Sequence, residues 1–568
     1  MLNDRRLRSG TPFWRDFWFW VKLLIFVIFL LFLVFPFSTL IYNSFFSTKE
    51  EGFTFYNFRR FFERKYYNSA LWNSLEISLI PTLFSVLVGV PMAYLMTRFN
   101  VWGKTVWHVL IILSLMCPPF LGAYSWIILF GNAGIVTQWM SSVFGFKMPS
   151  IYGLGGCCAV FTLKLFPYVY LYVSGAMGSI DRSVEECAEN LGSGKLRRML
   201  TVTVPVVMPS IAAGALMVFM TALADFGTPG ILAGGNFRTL PVLIYDEYLS
   251  ETGGNANLAS AISMIIVVIS LLILFIQKWW VARKNYQMSA LRPPAITELS
   301  GVSRFLITLP VAIVTLIAFL PQAVVVFCSF VKTNYSNFVF SEGFTLEHYA
   351  ELGRNLTTNI RNSFVFSTVA ILFILVLGIL LSYVIVRRRG KTGGALDMLM
   401  MAPYVIPGSV LGLCYIVAFN NMGTTADGTV IRLTGTASII IIAMIIRKLP
   451  YTVRSGSAFL MQMDPSIEEA SINLGVSPMK TFARVTVRMM LPGVLSGAII
   501  SWVTCINELS TSIMLYTGKT ATITVASYTA IVRNSVGTGA ALASILTITS
   551  GVLLLIFFRI SKGKVSVV

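Results

Sequence analysis

Apolar runs of about twenty residues, long enough to cross a bilayer as helices, recur along the whole chain between short polar connections. They predict twelve membrane-crossing helices, near 20–44, 71–97, 106–131, 151–178, 206–228, 257–280, 303–331, 362–386, 396–419, 436–461, 493–515 and 538–560. Barrel strands are only about ten residues long and alternate in polarity, so the pattern predicts an all-α polytopic membrane protein. No stretch long enough for a separate soluble domain is left over. Two polar connections differ from the rest. One reads D-R-S-V-E-E-C-A-E-N-L-G from Asp181 and runs to Pro209; the other reads D-P-S-I-E-E-A-S-I-N-L-G from Asp464 and runs to Pro492. In each, Ser-x-x-Glu (Ser183 to Glu186, Ser466 to Glu469) has the spacing of a capping box and predicts a short helix starting there. Glutamates in its first turn suit the positive end of the helix dipole. Gly192 and Gly475 mark its end or a sharp turn.

The two islands belong to a longer internal repeat. Asn73, Gly89, Tyr94, Arg98 and Pro118 recur 289 residues later as Asn362, Gly378, Tyr383, Arg387 and Pro407. Beyond the third span the offset falls to 283: Pro167, Asp181, Gly192, Pro209 and Gly214 recur as Pro450, Asp464, Gly475, Pro492 and Gly497. Two homologous six-span halves in one orientation account for both offsets, with a shorter connection after the third span of the second half. The halves are 1–285 and 303–568, joined by a basic linker over 286–302 that contains Pro293-Pro294, with the islands at 181–209 and 464–492.

Composition supports the membrane reading: of 568 residues, 56% are hydrophobic and only 12% charged, and the mean hydropathy is +0.77. A net charge of +19 would suit nucleic acid if it were clustered on one face, but it is spread over alternate connections. Arg5, Arg6, Arg8 and Arg15, Arg98 and Lys104, Lys195 to Arg198, Lys278 to Lys284, Arg387 to Lys391, Lys480 to Arg488, and Arg559 to Lys564 mark those connections as cytoplasmic by the positive-inside rule. Both termini and both islands are then expected in the cytoplasm. The opposite connections, 46–70 and 332–361, hold aromatic residues (Phe53, Phe55, Tyr56; Phe338, Phe340, Phe344) beside charges. Such residues either receive a soluble partner or rest at the membrane interface. The seven cysteines lie mostly within spans and form no C-x-x-C, which supports neither a disulfide framework nor a zinc site.

The islands resemble the E-A-A…G loop of the permease subunits of binding-protein-dependent ABC importers. The matching residues are Glu186-Cys187-Ala188 with Gly192 and Glu469-Ala470-Ser471 with Gly475, followed by a bulky apolar position (Met199, Phe482) and a closing proline (Pro209, Pro492). The usual Leu-Pro is Val204-Pro205 in the first copy and Val487-Arg488 in the second, a departure that bears on the turn after the second loop. The double-length form is similar to fused permeases of the ferric-iron type, whose relatives serve thiamine and aminoethylphosphonate. Ala224 to Pro229, Glu508 to Ser512, Pro118-Pro119 and the run from Pro403 to Pro407 look like the iron-type group. The resemblance implies a type I ABC importer permease fold, an external substrate-binding protein, and two copies of a cytoplasmic ATPase docking at the loops. Glu185, Glu186, Ala188 and Gly192, with Glu468, Glu469, Ala470 and Gly475, are the residues it assigns to ATPase coupling.

Charges inside spans are the remaining candidates. Asp225 and Glu508 are equivalent under the 283 offset, at the far end of the fifth span of each half from the island. Intramembrane carboxylates face a cavity or a partner, and a hard cation such as ferric iron favours oxygen ligands. They line a translocation pathway, or they are solvated or bonded to backbone. Lys164 and Arg447 form a second offset pair, each three residues before a proline. Attraction of an anionic substrate and snorkelling both fit them. His108 and His348 have no metal-ligand spacing, and nothing in the sequence settles whether a metal has a site. Gly390-Lys391-Thr392 and Gly518-Lys519-Thr520 lack the first glycine of a phosphate loop. The chain is therefore expected to be no enzyme and to hold no cofactor of its own, with ATP used by the partner. A secondary transporter also has twelve spans in two parallel halves, but needs no duplicated coupling loop. An embedded enzyme would need a catalytic set that the sequence does not offer.

Overall fold

The computed structural model describes residues 17–47, 52–116, 119–146, 148–234, 237–249, 254–282, 296–332, 343–388, 390–422, 431–533 and 535–560. Among them no strand occurs, and the long helices follow the apolar runs. They are α1 (Phe17–Ser44), α2 (Lys65–Arg98), α3 (Lys104–Met116), α4 (Pro119–Phe130), α5 (Leu154–Gly178), α6 (Arg182–Asn190), α7 (Met208–Ala224), α8 (Gly227–Leu232), α9 (Ala256–Ala282) and α10 (Gly301–Cys328). The second half continues with α11 (Thr357–Arg387), α12 (Lys391–Val405), α13 (Gly408–Phe419), α14 (Ala437–Gln462), α15 (Ser466–Asn473), α16 (Val487–Ile506), α17 (Ser512–Leu515), α18 (Ile523–Val532) and α19 (Val536–Ile560).

Among the described residues, nine helices are long and apolar enough to cross a membrane, and two bent helix pairs also qualify if each is one span. The 26-residue α14 spans about 39 Å at 1.5 Å per residue; Arg447, Lys448 and Arg454 lower its hydropathy. Together these helices account for twelve spans in two six-helix halves. Some expected spans are not single helices: 206–228 ends in the turn between α7 and α8, and 493–515 in the turn between α16 and α17. The ninth is divided at Ile406-Pro407, where the helices on either side are bent by 107°; the expected third, 106–131, contains Cys117 and Pro118, which lie outside the described residues. Proline lacks the N–H that would continue the ladder. Most of the predicted linker (286–295) and Phe338 and Phe340 also lie outside the described residues.

The chain forms two compact units that do not follow the sequence halves: residues 1–40, 364–404 and 414–506, and residues 41–363, 405–413 and 507–568. Within the first unit, α1 packs on second-half helices. Trp18 stacks on Tyr383 with ring centroids 4.5 Å apart, and the Tyr415 hydroxyl donates to the Phe32 carbonyl at 2.8 Å. Within the second unit, α10, the first span of the second half, packs on first-half helices. Gln322 Nε2 donates to the Ser114 carbonyl at 3.0 Å, and Ser125 Oγ donates to the Pro321 carbonyl at 2.8 Å. Each half thus lends its first span to the other.

The recurring glycines have a shared cause. A Cβ at Gly89 of α2 would lie 2.8 Å from Val169 Cβ, and one at Gly214 of α7 would lie 2.9 Å from Val169 Cα. In the other half, Cβ atoms at Gly378 and Gly497 would lie 2.7 Å from Thr452, the residue equivalent to Val169. In each half one residue of the fourth span is therefore clamped between glycines of the second and fifth. Small residues allow this approach between helices in a membrane, where no hydrophobic force drives association. Gly497→Leu is expected to destabilise the protein by about 1–3 kcal/mol through overpacking. Its thermal midpoint, followed by size exclusion of detergent-purified protein, should fall, whereas Gly518→Leu, a position open to space, should leave it unchanged.

Candidate functional site

Both islands fold into the same device. The first helix, α6, begins after Asp181, whose Oδ1 accepts the Ser183 N–H at 2.9 Å; in the second copy, Asp464 Oδ1 accepts the Ser466 N–H at 2.9 Å. The cap is therefore the aspartate that opens each island rather than Ser183 or Ser466. An aspartate there relieves an orphan donor and meets the dipole with a full charge. The bonds from Ser466 hold the Asp464 carboxyl below the usual carboxylate range. Its contribution is thus complete at neutral pH and is lost only as acid titrates it through that lowered value.

The C-terminal ends match as closely. Gly192 has φ +79° and Gly475 φ +86°, the left-handed conformation that glycine adopts without a Cβ penalty. The chain then folds back, so that Ser193 N–H donates to the Ala188 carbonyl at 3.0 Å and Val476 N–H to the Ser471 carbonyl at 3.2 Å. This is a Schellman closure. A π-helical turn follows in each copy, Met199–Thr203 and Phe482–Thr486. After it the copies diverge. The first is bent by 67° between Val206 and Met208, where Pro205 and Pro209 flank the break; the second has Arg488 in place of Pro205 and runs on as one helix through Pro492.

The paired glutamates do not share a surroundings. Glu185 Oε1 accepts Arg98 Nη2 at 2.6 Å and Thr203 Oγ1 at 3.0 Å. Glu468 Oε1 accepts Arg387 Nε at 3.3 Å and Thr486 Oγ1 at 3.1 Å. These side chains lie largely inside the protein, whereas Glu469 and Ala470 are exposed and Glu186 and Ala188 half-exposed. The most open large apolar residues of the islands, among the described residues, are ones that the sequence pattern did not single out. Leu191 is 88% exposed and Leu474 is 85% exposed. They are equivalent, and each immediately precedes the left-handed glycine.

A family model described as "Binding-protein-dependent transport system inner membrane component" matches residues 85–286 and again 374–567, one copy over each island. The chain belongs to that family. It is 28% identical over 495 residues, 85% of its length and 70% of the relative's, to the ferric transport system permease protein FbpB of Actinobacillus pleuropneumoniae. A putative ferric transport system permease protein, FbpB 1 of Haemophilus influenzae, is 28% identical over 469 residues, 81% of this chain and 72% of that protein. The molybdenum transport system permease protein ModB of Escherichia coli is 26% identical over 209 residues, 36% of this chain but 90% of that protein, a relative the size of one half.

In this permease Asp225 and Glu508 both lie in the second compact unit and hold the turns that end the fifth spans. Asp225 Oδ1 accepts Gly227 N–H at 3.0 Å and Oδ2 accepts Thr228 Oγ1 at 2.6 Å, which fixes the start of α8. Glu508 Oε1 accepts the Thr511 N–H at 3.1 Å and its hydroxyl at 3.2 Å, at the start of α17. The two turns come together: a Cβ at Gly227 would lie 3.0 Å from a Leu509 methyl, and Phe226 packs on Tyr528 with centroids 5.5 Å apart. Lys164 of α5 lies within electrostatic reach of Asp225. Arg447 is half-buried in α14, next to the buried Lys448. Among the described residues no three His, Cys, Asp or Glu side chains cluster as a metal site. His108 Nδ1 instead meets the Tyr170 hydroxyl at 2.8 Å.

Proposed function

We propose that this permease forms the whole membrane pathway of an ATP-driven importer in one chain, and that its cargo is ferric iron. An external binding protein delivers the cargo, and two copies of a cytoplasmic ATPase dock at the islands. Both termini lie in the cytoplasm. ATP is hydrolysed in the partner, which draws its copies together and moves the islands, and the halves (1–285 and 303–568, joined by 286–302) alternate between outward-open and inward-open forms. The observation that carries docking is the pair of nearly bare leucines at equivalent positions on duplicated, fully capped helices. One exposed leucine is ordinary on a protein surface, but the same exposure at equivalent positions of two duplicated helices supports a shared contact surface. Glu186, Glu469 and Ala470 lie beside it for charge-assisted bonds and close approach.

Iron is favoured by two ferric relatives that match over most of this chain, against a molybdenum relative that matches over 36% of it. Asp225 and Glu508 support it as oxygen-rich, buried groups where the fifth spans end. They hold the turns there, and Lys164 lies within electrostatic reach of Asp225; Arg447 is its counterpart under the repeat. Cells carrying the chain with its partners should accumulate labelled ferric iron, and uptake should stop on ATP depletion or on deletion of the chain. Uptake indifferent to the chain would overturn the iron assignment, and labelled molybdate, aminoethylphosphonate and thiamine would be the next cargoes to measure. Uptake that persists without ATP on an ion gradient would overturn the ATP-driven reading.

A further inference from the structure

The first glutamate of each island is held inside, unlike the exposed Glu189 and Glu469 of the same loops. Its carboxylate faces inward and a single oxygen, Oε1, takes two donors from two different membrane helices. In the first copy these are Arg98, the last residue of α2, and Thr203, the last residue of the π turn that leads into α7. In the second copy they are Arg387, the last residue of α11, and Thr486, the last residue of the π turn that leads into α16. The four charged side chains are 5% and 17% exposed in the first copy and 14% and 12% in the second.

The repeat registers make this more than one copied block. Arginine recurs at the 289 offset, but glutamate and threonine recur at 283. The contact has therefore kept its form across a change of six residues in the chain between its members. The π turn belongs to the same arrangement. It holds one residue more than a regular turn, and one residue is about 100° of helix rotation, so the turn decides whether the threonine hydroxyl faces the carboxylate. π turns concentrate at functional positions. Arg98 is buried with Nε and Nη1 unbonded among the described residues, and Arg387 spends Nη2 on the Met463 carbonyl at 2.8 Å.

We infer that Glu185 and Glu468 are positioning residues rather than ATPase contacts: each locks its coupling helix to the second span through arginine and to the entry of the fifth span through threonine. A push on the island then moves both spans through one carboxylate oxygen. The inference rests on the islands being where the ATPase docks. The two halves of that statement fail separately, because the lock exists in the chain alone while docking needs the partner.

The test uses the full complex, with one spin label on the exposed Cys187 of α6 and another on Trp102→Cys just beyond α2; the other described cysteines are buried. With wild-type Glu185 the distance should be narrow and the same with and without vanadate-trapped nucleotide. In Glu185→Gln with Thr203→Val it should broaden and shift on trapping. The ATPase should still co-purify and hydrolyse ATP, but stimulation by ferric-loaded binding protein should fall about tenfold, within the usual range of coupling between sites. If the uncompensated Arg98 prevents folding, Arg98→Met with Glu185→Leu removes both charges and should broaden the distance likewise. A distance unchanged in the folded variants, a distance that shifts on trapping with Glu185 intact, or loss of the ATPase from Glu185→Gln would each overturn the assignment. Failure of the ATPase to bind the unsubstituted chain would instead overturn the docking reading, and the nucleotide-free distances would still decide the lock.

Discussion

Leu191→Asp combined with Leu474→Asp is expected to strip the ATPase from the purified permease while leaving the permease itself as stable as before. Both side chains are almost wholly in water in the chain alone, at 88% and 85% exposure. Surface changes of that kind usually stay within about 0.5 kcal/mol. In the docked complex the same positions would be covered. Burying a leucine contributes about 1.5–3 kcal/mol, and seating a carboxylate in an apolar pocket adds the cost of an unpaired buried charge. A loss of about 3–4 kcal/mol per site corresponds to a weakening of several hundredfold. Co-purification of the ATPase, with the thermal midpoint of the permease as control, separates the two effects. Because the pathway has two islands, the single variants should each leave one ATPase attached. Full retention of the ATPase by the double variant would show that the leucines lie outside the interface.

Much of this architecture was legible in the apolar pattern. The run lengths anticipated the long apolar helices, and two offsets anticipated a duplicated unit, which the family model matches twice. What the pattern missed follows from physics that hydropathy does not carry. It read 396–419 as a single straight span because Pro407 changes the backbone ladder without lowering apolarity. It put the helix cap at Ser183 and Ser466, where the Ser-x-x-Glu spacing is good, but Asp181 and Asp464 stand two residues earlier and offer a charged acceptor. It grouped Glu185 with Glu186. Only the placement of Arg98 and Thr203, 87 residues before and 18 residues after Glu185, separates an inward glutamate from its neighbour. The duplicated Arg98/Arg387 and Thr203/Thr486 were available as signals, since both pairs obey the offsets. Leu191 and Leu474 also obey them, yet nothing in a sequence distinguishes a bare leucine from a packed one. The exchange of first spans between halves is invisible for a related reason: α1 and α10 are equally apolar whichever neighbour they meet.

Replacement of Gly192 and Gly475 by valine is expected to cost most of the transport activity, and the series Gly, Asn, Ala, Val should say why. Both glycines have positive φ, and a Cβ at either would meet nothing within 4 Å. The permease alone therefore has room for a side chain, and the penalty is purely one of backbone conformation. That penalty is about 1–2 kcal/mol for an ordinary residue forced left-handed, smaller for asparagine, and larger for a β-branched residue. Relaxing φ would break the closures Ser193 to Ala188 and Val476 to Ser471 and turn away the leucine that precedes each glycine. Transport should then fall in the order Asn, Ala, Val, with the asparagine double variant near the unsubstituted level. Asparagine and valine are close in volume, so the pair separates two causes. If asparagine is as damaging as valine, the glycines are small because a partner packs directly against them. If asparagine is tolerated and valine is not, they are glycines because the left-handed turn aims the leucines at the ATPase.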